Sequence, residues 1–316
     1  EAPNFRSLVK SLGTDAGTVA RLAQQMARPI AATPWNASFV SQKRTLAWLR
    51  TSFADVREIR TAFGGTMNDV VLTMLSEGAA RYLRYHGRRP GAPFRIGCPV
   101  NVRRDHENGA LGNRVSMMFP ELPAEPMDPV ARLKLVTSET QRIKEAGEPQ
   151  ALERLMSYGE SASPAIVATL AGMVTTAMDA AASLQRYIPA WAKPAAPAPG
   201  INFIATNVPG SQVPLYLRGH RMVDYVGLLP LGANLGFGVP IISYNQNLYF
   251  TMMAEPNLMP DPDRMKSLVE QVFEELKRAA IAQKVPVQKQ APPVKKPKRA
   301  TAHAASADGS PHPVAA

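Results

Sequence analysis

The chain has 316 residues, 45% of them hydrophobic and 19% charged, which places it among globular proteins able to bury a substantial core and excludes a wholly disordered chain. A single cysteine excludes an intrachain disulfide and a cysteine-rich metal site, and five histidines without clustering argue against metal catalysis. The net charge of +11 is unevenly spread: residues 284–316 hold five Lys and one Arg against one Asp, leaving +6 elsewhere, an excess that suits anionic lipid or acyl-CoA as well as nucleic acid.

The chain begins at Glu1 with neither a methionine nor a charged-then-apolar leader, as expected of a processed product or a piece of a longer chain. Residues 1–34 carry one helical stretch, around Thr18 to Met26, and read as a connecting segment. Trp35 to Arg50 is polar and basic with scattered aromatics. A helix from Phe53 to Ala62 stops at Gly64-Gly65. The next helix spans Met67 to Tyr85, with Val71, Leu75, Ala79 and Tyr82 on one face and Thr66 and Asp69 spaced as a capping box. Phe94 to Val102 reads as a buried strand and Arg114 to Phe119 as its neighbour. Cys98 falls inside the first of these, among apolar residues that give a thiol no activation.

Asp128-Pro129 caps a helix running to Ala146. A second helical block covers Ala151 to Tyr187. Within it, 18 uncharged residues lie between Glu160 and Asp179, just the length at which a membrane span must be considered; Gly172 and the Ala, Ser and Thr content favour a buried or interfacial helix. Pro189 to Gly200 reads as a linker. Strands follow at Ile201–Thr206, Val239–Tyr244 and Leu248–Met253, the last two joined through Asn245-Gln246-Asn247. Asp261-Pro262 caps a final helix whose Met265, Leu268, Val269, Val272 and Leu276 face inward. Beyond Gln283 the sequence lacks periodicity and reads as a disordered basic tail. Alternating strands and helices give an α/β layered fold: a connecting segment at 1–34, one domain at 35–283 and a tail at 284–316.

Thr66-Met67-Asn68-Asp69 has a sufficient structural explanation as a helix cap. Arg103, following a buried strand, is a candidate for an anionic group. Asn207-Val208-Pro209-Gly210 is a turn signature. His220 and Asp224 have the spacing at which a histidine general base and an orienting aspartate occur in thioester-dependent acyltransferases. Their neighbours differ from that motif: Gly219 stands where a second histidine is expected and Tyr225 where glycine is. The pair therefore reads as a surface or interface loop, and is the one catalytic candidate the residues offer. His106-Glu107-Asn108-Gly109 is a polar turn without ligand partners. There is no phosphate-binding Gly loop, dinucleotide fingerprint or Gly-x-Ser-x-Gly elbow. The tail's Lys295-Lys296-Pro297-Lys298-Arg299 has no interleaved aromatics for stacking on bases.

The order of the motifs says more than any one of them. Gly65-Thr66-Met67-Asn68-Asp69-Val70-Val71-Leu72 is followed by Pro99-Val100-Asn101-Val102-Arg103 and Leu111-Gly112-Asn113-Arg114. Asn207-Val208-Pro209-Gly210, Pro214-Leu215-Tyr216-Leu217, Ile242-Ser243-Tyr244 and Asp261-Pro262-Asp263-Arg264 complete the series. From Pro34 to Ala280 it closely resembles the C-terminal half of the bacterial wax ester synthase/acyl-CoA:diacylglycerol acyltransferase family.

The resemblance implies a CoA-dependent acyltransferase-like (chloramphenicol-acetyltransferase-like) α/β half, with a mixed sheet and flanking helices, facing a second half across an active-site tunnel. It implies transfer of a fatty acyl group from acyl-CoA to a long-chain alcohol or a diacylglycerol hydroxyl, with acyl-CoA as substrate and no cofactor. The family's His-His-x-x-x-Asp-Gly motif belongs to the N-terminal half, and none of the five histidines here adjoins another. By the same resemblance Asn68 and Asp69 support the active site, while Gly112, Asn113, Asn207, Pro209 and Gly210 line or brace the tunnel. The expected partners are an N-terminal acyltransferase half or a second copy of the chain, and a lipid surface at the inner face of the membrane in a cytoplasmic protein; nucleic acid is not expected. Asn245-Gln246-Asn247, where relatives carry a glycine turn, and Glu255, where aspartate is common, depart from the family without touching its chemistry. A non-catalytic lipid- or acyl-CoA-binding protein is the alternative. A lone half is expected to expose the tunnel side of its sheet.

Overall fold

The computed structural model describes residues 17–18, 20–22, 24–37, 40–101, 115–161, 200–232 and 234–284. Its strands are β1 (Thr45–Ser52), β2 (Phe94–Asn101), β3 (Val115–Met118), β4 (Glu121–Leu122), β5 (Phe203–Val208), β6 (Tyr216–Leu217), β7 (His220–Arg221), β8 (Phe237–Tyr244) and β9 (Asn247–Ala254). The helices are α1 (Phe53–Phe63), α2 (Met67–Tyr85), α3 (Pro129–Glu145), α4 (Glu148–Ser161) and α5 (Pro262–Lys284). Arg103, Gly112, Asn113, the His106 turn, residues 189–199 of the linker, most of the uncharged 161–178 stretch and residues 285–316 of the basic tail fall outside the described residues.

The main sheet runs β1-β9-β8-β5-β2-β3, with β4 also on β2. β2, β5 and β8 are mutually parallel, and antiparallel strands flank them on both sides. This is the mixed sheet expected. β1 was not: Trp35 to Arg50 reads as a polar run, yet Thr45–Ser52 alternates, burying Ala47, Leu49 and Thr51 while Leu46, Trp48 and Arg50 face out. Trp35 is fully buried, stacked between Tyr82 and Phe237 at centroid distances of 5.9 and 5.5 Å. Ile30 and Ala31, inside the 1–34 segment, are buried as well, so that segment contributes to the core. Asn36, next to Trp35, donates to the carbonyls of Ile201, Asn202 and Asn234, pinning this stretch beside β5.

The capping box at Thr66 and Asp69 forms in both directions, and Asp128 accepts the Ala131 N–H at 2.8 Å ahead of Pro129. Asp261 behaves differently: its carboxylate takes the Tyr82 hydroxyl and His86 Nε2 at 3.1 Å, tying the end of α2 to the start of α5, while its carbonyl serves the helix. α2 is not one-faced. Val70 to Ala80 are all buried, because α3 and α5 pack beside it as well as the sheet. That burial strands a charge, Glu77, and it is answered by Arg132 Nε at 2.6 Å and Arg81 Nε at 2.8 Å. Asn245 and Gln246 take φ of +46° and +62°, the paired left-handed residues of a two-residue hairpin turn. Cys98 is buried in β2, and burial pushes its thiol pKa up.

The second face of the sheet is partly covered. A strap, residues 211–231, crosses β8: Gly227 sits against Pro240 and Ile242, and Leu229 and Leu231 against Gly238. β8 is consequently buried on both sides. Toward β5 and β2 the cover thins, leaving Pro99, Val100, Ile204 and Thr206 half-exposed.

Candidate active site

Three motifs that lie far apart in the sequence fall at one edge of the sheet. β2, β5 and β8 run parallel, so Asn101, Val208 and Tyr244 end at the same side of the sheet. α2 returns against them. Its last turn reaches Asp261, just past Ala254, which pairs with the first residue of β8. Nineteen residues span about 28 Å, so the opposite end of α2, Thr66 to Asp69, lies at the carboxyl-end edge. The carboxyl ends of parallel strands are where α/β sheets bind ligands, because strand ends, loops and helix N-termini converge there.

Asp69 at this edge is buried and holds three donors. Oδ2 accepts the Thr66 N–H at 2.7 Å and the Thr66 hydroxyl at 2.8 Å, and Oδ1 accepts the Thr140 hydroxyl at 2.7 Å. Gly65 makes the approach to the cap possible. Its φ is +82°, and a Cβ there would sit 2.6 Å from Thr137 Oγ1. With two donors from its own cap and one from Thr140 of α3, Asp69 anchors α2 to α3. Asn68 is half-buried, and among the described residues its side chain meets no partner.

The Asn207-Val208-Pro209-Gly210 turn is held by β8. The Gly210 N–H donates to Ser243 Oγ at 3.0 Å, and Gln212 Nε2 donates to the same oxygen at 2.9 Å. A Cβ on Gly210 would stand 2.2 Å from the Ser243 carbonyl oxygen, so only glycine fits. Asn207, opposite Ile241 in the register, is half-buried and Pro209 exposed. Gln212 Oε1 is buried without a partner. Tyr244 extends the clamp: its hydroxyl accepts the Leu215 N–H and donates to the Met222 carbonyl, both at 2.9 Å. Ser243 and Tyr244 stand in the motif series without an assigned role, and Gln212 is absent from it. The available signal was a Ser-Tyr pair closing an otherwise apolar strand.

His220 and Asp224 are not brought together. His220 is exposed on the β6–β7 hairpin, paired in the ladder with Leu217, and Asp224 faces Arg50 at 3.5 Å. The other described histidine, His86, belongs to the opposite edge with Asp261. The described part of the candidate site thus offers amides, hydroxyls and backbone N–H groups, which bind and orient, and no group placed to carry a proton. Among the described residues no group of His, Cys, Asp and Glu could hold a metal ion, and no helix is long and apolar enough to cross a membrane.

Comparison with known proteins gives the same family twice. Residues 111–277 match the WS/DGAT C-terminal domain, and residues 3–71 match the wax ester synthase/diacylglycerol acyltransferase catalytic domain, further upstream than the motif series reaches. A probable diacylglycerol O-acyltransferase of Mycobacterium tuberculosis is 29% identical over 232 residues, 73% of this chain and 46% of that protein. A putative diacylglycerol O-acyltransferase of the same species is 30% identical over 264 residues, 79% of this chain and 48% of that protein. The chain spans about half the length of the curated relatives it matches. In structure it is similar to the wax ester synthase/diacylglycerol acyltransferase of Marinobacter aquaeolei VT8, with a TM-score of 0.55 at 20% identity over 89% of this chain and 57% of that one. The epimerization domain of tyrocidine synthetase B shares the fold at a TM-score of 0.51 and 11% identity, over 90% of this chain and 61% of that one.

Proposed function

Since the chain belongs to the wax ester synthase/diacylglycerol acyltransferase family, we propose that it forms the C-terminal half of an O-acyltransferase site, the half that binds and aligns its substrates. The acyl donor is acyl-CoA and the acceptor a long-chain alcohol or diacylglycerol hydroxyl. The general base that takes the hydroxyl proton comes from a histidine-bearing N-terminal half; these 316 residues contain no adjacent histidine pair. As the hydroxyl oxygen adds to the thioester carbonyl, the ester forms and the C–S bond breaks, releasing CoA thiol.

The observation that supports this reading is that Asn68, the Asn207–Gly210 turn and the Ser243 clamp share the edge formed by the carboxyl ends of three parallel strands. Arg103, Gly112 and Asn113 lie in the segment between β2 and β3, whose flanking residues Asn101 and Val115 pair at that edge. Both substrates are lipids, so a peripheral place on a lipid surface follows from the reaction.

The test is release of CoA thiol from a long-chain acyl-CoA, with a long-chain alcohol and with diacylglycerol as acceptors, alongside binding of the same acyl-CoA by titration. The 316-residue chain is expected to bind acyl-CoA without turning it over, and Asn68→Ala to weaken binding. Turnover by this chain that disappears in His220→Ala would refute the assignment and make His220 the base. Binding with no turnover, even when a histidine-bearing half is supplied, would favour a non-catalytic binding protein.

A further inference from the structure

The last turn of α2 and the loop after it carry a run of arginines that the proposed site does not use. Arg84, Arg88 and Arg89 are exposed. Arg264, at the start of α5, stands beside them with its guanidinium 4.1 Å from the centre of the Tyr85 ring. Among the described residues none of the four is in an ion pair, because the acids around them are taken. Glu275 is held by both terminal nitrogens of Arg81 at 2.7 Å, Asp261 by Tyr82 and His86, and Asp263 by Lys266 at 3.5 Å. The negative end of α2 accounts for Arg84, since a helix C-terminus favours a cation in its last turn. It does not account for Arg88 and Arg89, which stand past the helix end. Their loop is pinned: the Arg88 N–H donates to the Leu83 carbonyl at 2.8 Å, and the Ala31 and Ala32 N–H groups donate to the Pro93 and Pro90 carbonyls at 2.8 and 3.3 Å. Like charges are thus gathered on a fixed backbone, and their repulsion is relieved by an anion.

The surface around them says which anion. An open groove of about 490 Å³ is bordered by Arg84, Tyr85, Arg264, Pro126, Met127 and Leu268, so guanidinium donors and apolar carbon stand side by side. Glu77, which also borders it, is fully buried and paired with Arg81 and Arg132. Tyr85 is 58% exposed and presents an apolar ring with a polar tip, the kind of side chain that rests where one end is apolar and the other wet. Arg264 already covers one face of that ring and the His86 ring meets it at 88°, which suits the surface less to a stacked nucleobase than to phosphate. The arginines are spread along the loop and open to solvent, an arrangement for a field of headgroups and not for one enclosed anion.

We propose that this arginine-rich edge docks the chain on a membrane of anionic phospholipid, with Arg84, Arg88, Arg89 and Arg264 on the phosphates and Tyr85 at headgroup depth. The edge lies where α2 ends beside Asp261, at the opposite side of the sheet from Asn68, so docking leaves the candidate site open to acyl-CoA from the water side. The inference rests on the proposed function only for the choice of a lipid among polyanions.

The experiment uses the 316-residue chain and vesicles without acyl-CoA, so loss of docking and loss of acyl-CoA binding are read separately. In flotation the chain is expected to rise with vesicles of mixed phosphatidylcholine and phosphatidylglycerol, to stay behind with phosphatidylcholine alone, and to be released by salt. An arginine near an anionic surface strengthens binding about fivefold, so Arg88→Ala combined with Arg89→Ala should weaken it about thirtyfold with unchanged thermal unfolding. Lys298→Ala combined with Arg299→Ala, the same charge change in the basic tail, should have the smaller effect. A solvent-sensitive dye on Tyr85→Cys should shift to the blue on docking, and one on Ile281→Cys, about 25 Å further along α5 from Arg264, should not. Cys98 is buried and does not take the label. Equal binding to both kinds of vesicle overturns the proposal, as does binding lost in the tail variant and kept in the arginine variant. So does a Tyr85→Cys label that stays in water while the chain is bound, or a chain that ignores vesicles and retains single-stranded RNA through Arg88 and Arg89.

Discussion

Asp69 is the sharpest test of whether a family motif residue acts through chemistry or through architecture. Asp69→Ala removes one acceptor from the Thr66 N–H, one from the exposed Thr66 hydroxyl and one from the buried Thr140 hydroxyl. The exposed hydroxyl recovers water. Loss of the cap costs about 1 kcal/mol. The Thr140 hydroxyl would cost about 1–3 kcal/mol if orphaned, but it already lies 3.2 Å from the Thr137 carbonyl and can turn to it, which selects the low end of that range. The sum is roughly 2–3 kcal/mol, or on the order of 4–12 °C in melting temperature for a domain of this size. Asp69→Asn keeps an acceptor and should lose about half as much. Asn68→Ala, one residue away, removes no described contact and should change stability by less than about 0.5 kcal/mol while weakening acyl-CoA binding. Urea unfolding followed by circular dichroism, with acyl-CoA titration on the same samples, reads both quantities. An Asp69→Ala midpoint indistinguishable from the parent, with binding abolished, would refute the argument and place Asp69 against the substrate.

Gly65→Ala should destabilise by about 2 kcal/mol, from a left-handed backbone and crowding of Thr137, measured by thermal melts. Tyr244→Phe deletes the hydroxyl that bridges Leu215 and Met222; a loss of about 1–2 kcal/mol is expected, together with faster limited proteolysis within residues 211–231 and not elsewhere. Glu77→Gln leaves Arg132 buried without its counter-charge, and denaturant unfolding should register about 3–5 kcal/mol. The buried Cys98 thiol, its pKa pushed up by desolvation, should resist thiol reagents at neutral pH until the chain unfolds.

Much of the chain was legible because local signals and global fold agree. Thr66, Asp69, Asp128 and Pro129 mark helix starts with side chains that act within one turn, and α2 begins and ends where they and Tyr85 indicate. The turn after β8 was readable from its asparagine, although Gln246 fills the second left-handed position. β1 was not readable: Trp48 and Arg50 face out, and only the ladder to β9 tells Leu46 and Trp48 apart from the buried Ala47 and Leu49. Asp261 looked like a cap and became a tie between two helices, because Tyr82 and His86 reach it from 175 or more residues away.

The sequence by itself determined the family, the starts of α1, α2, α3 and α5 and the absence of a histidine pair, since each depends on residue identity and short-range spacing, whereas α4 begins at Glu148, ahead of the expected Ala151. The tertiary structure alone decided that Asp69 braces α2 while Asn68 meets no partner among the described residues. It also decided that Ser243 and Tyr244 hold the turn after β5, and that His220 and Asp224 stand apart. The reason is physical: caps and turns are formed by neighbours along the chain, whereas a site is assembled by parallel strands whose ends meet only after long crossovers have closed.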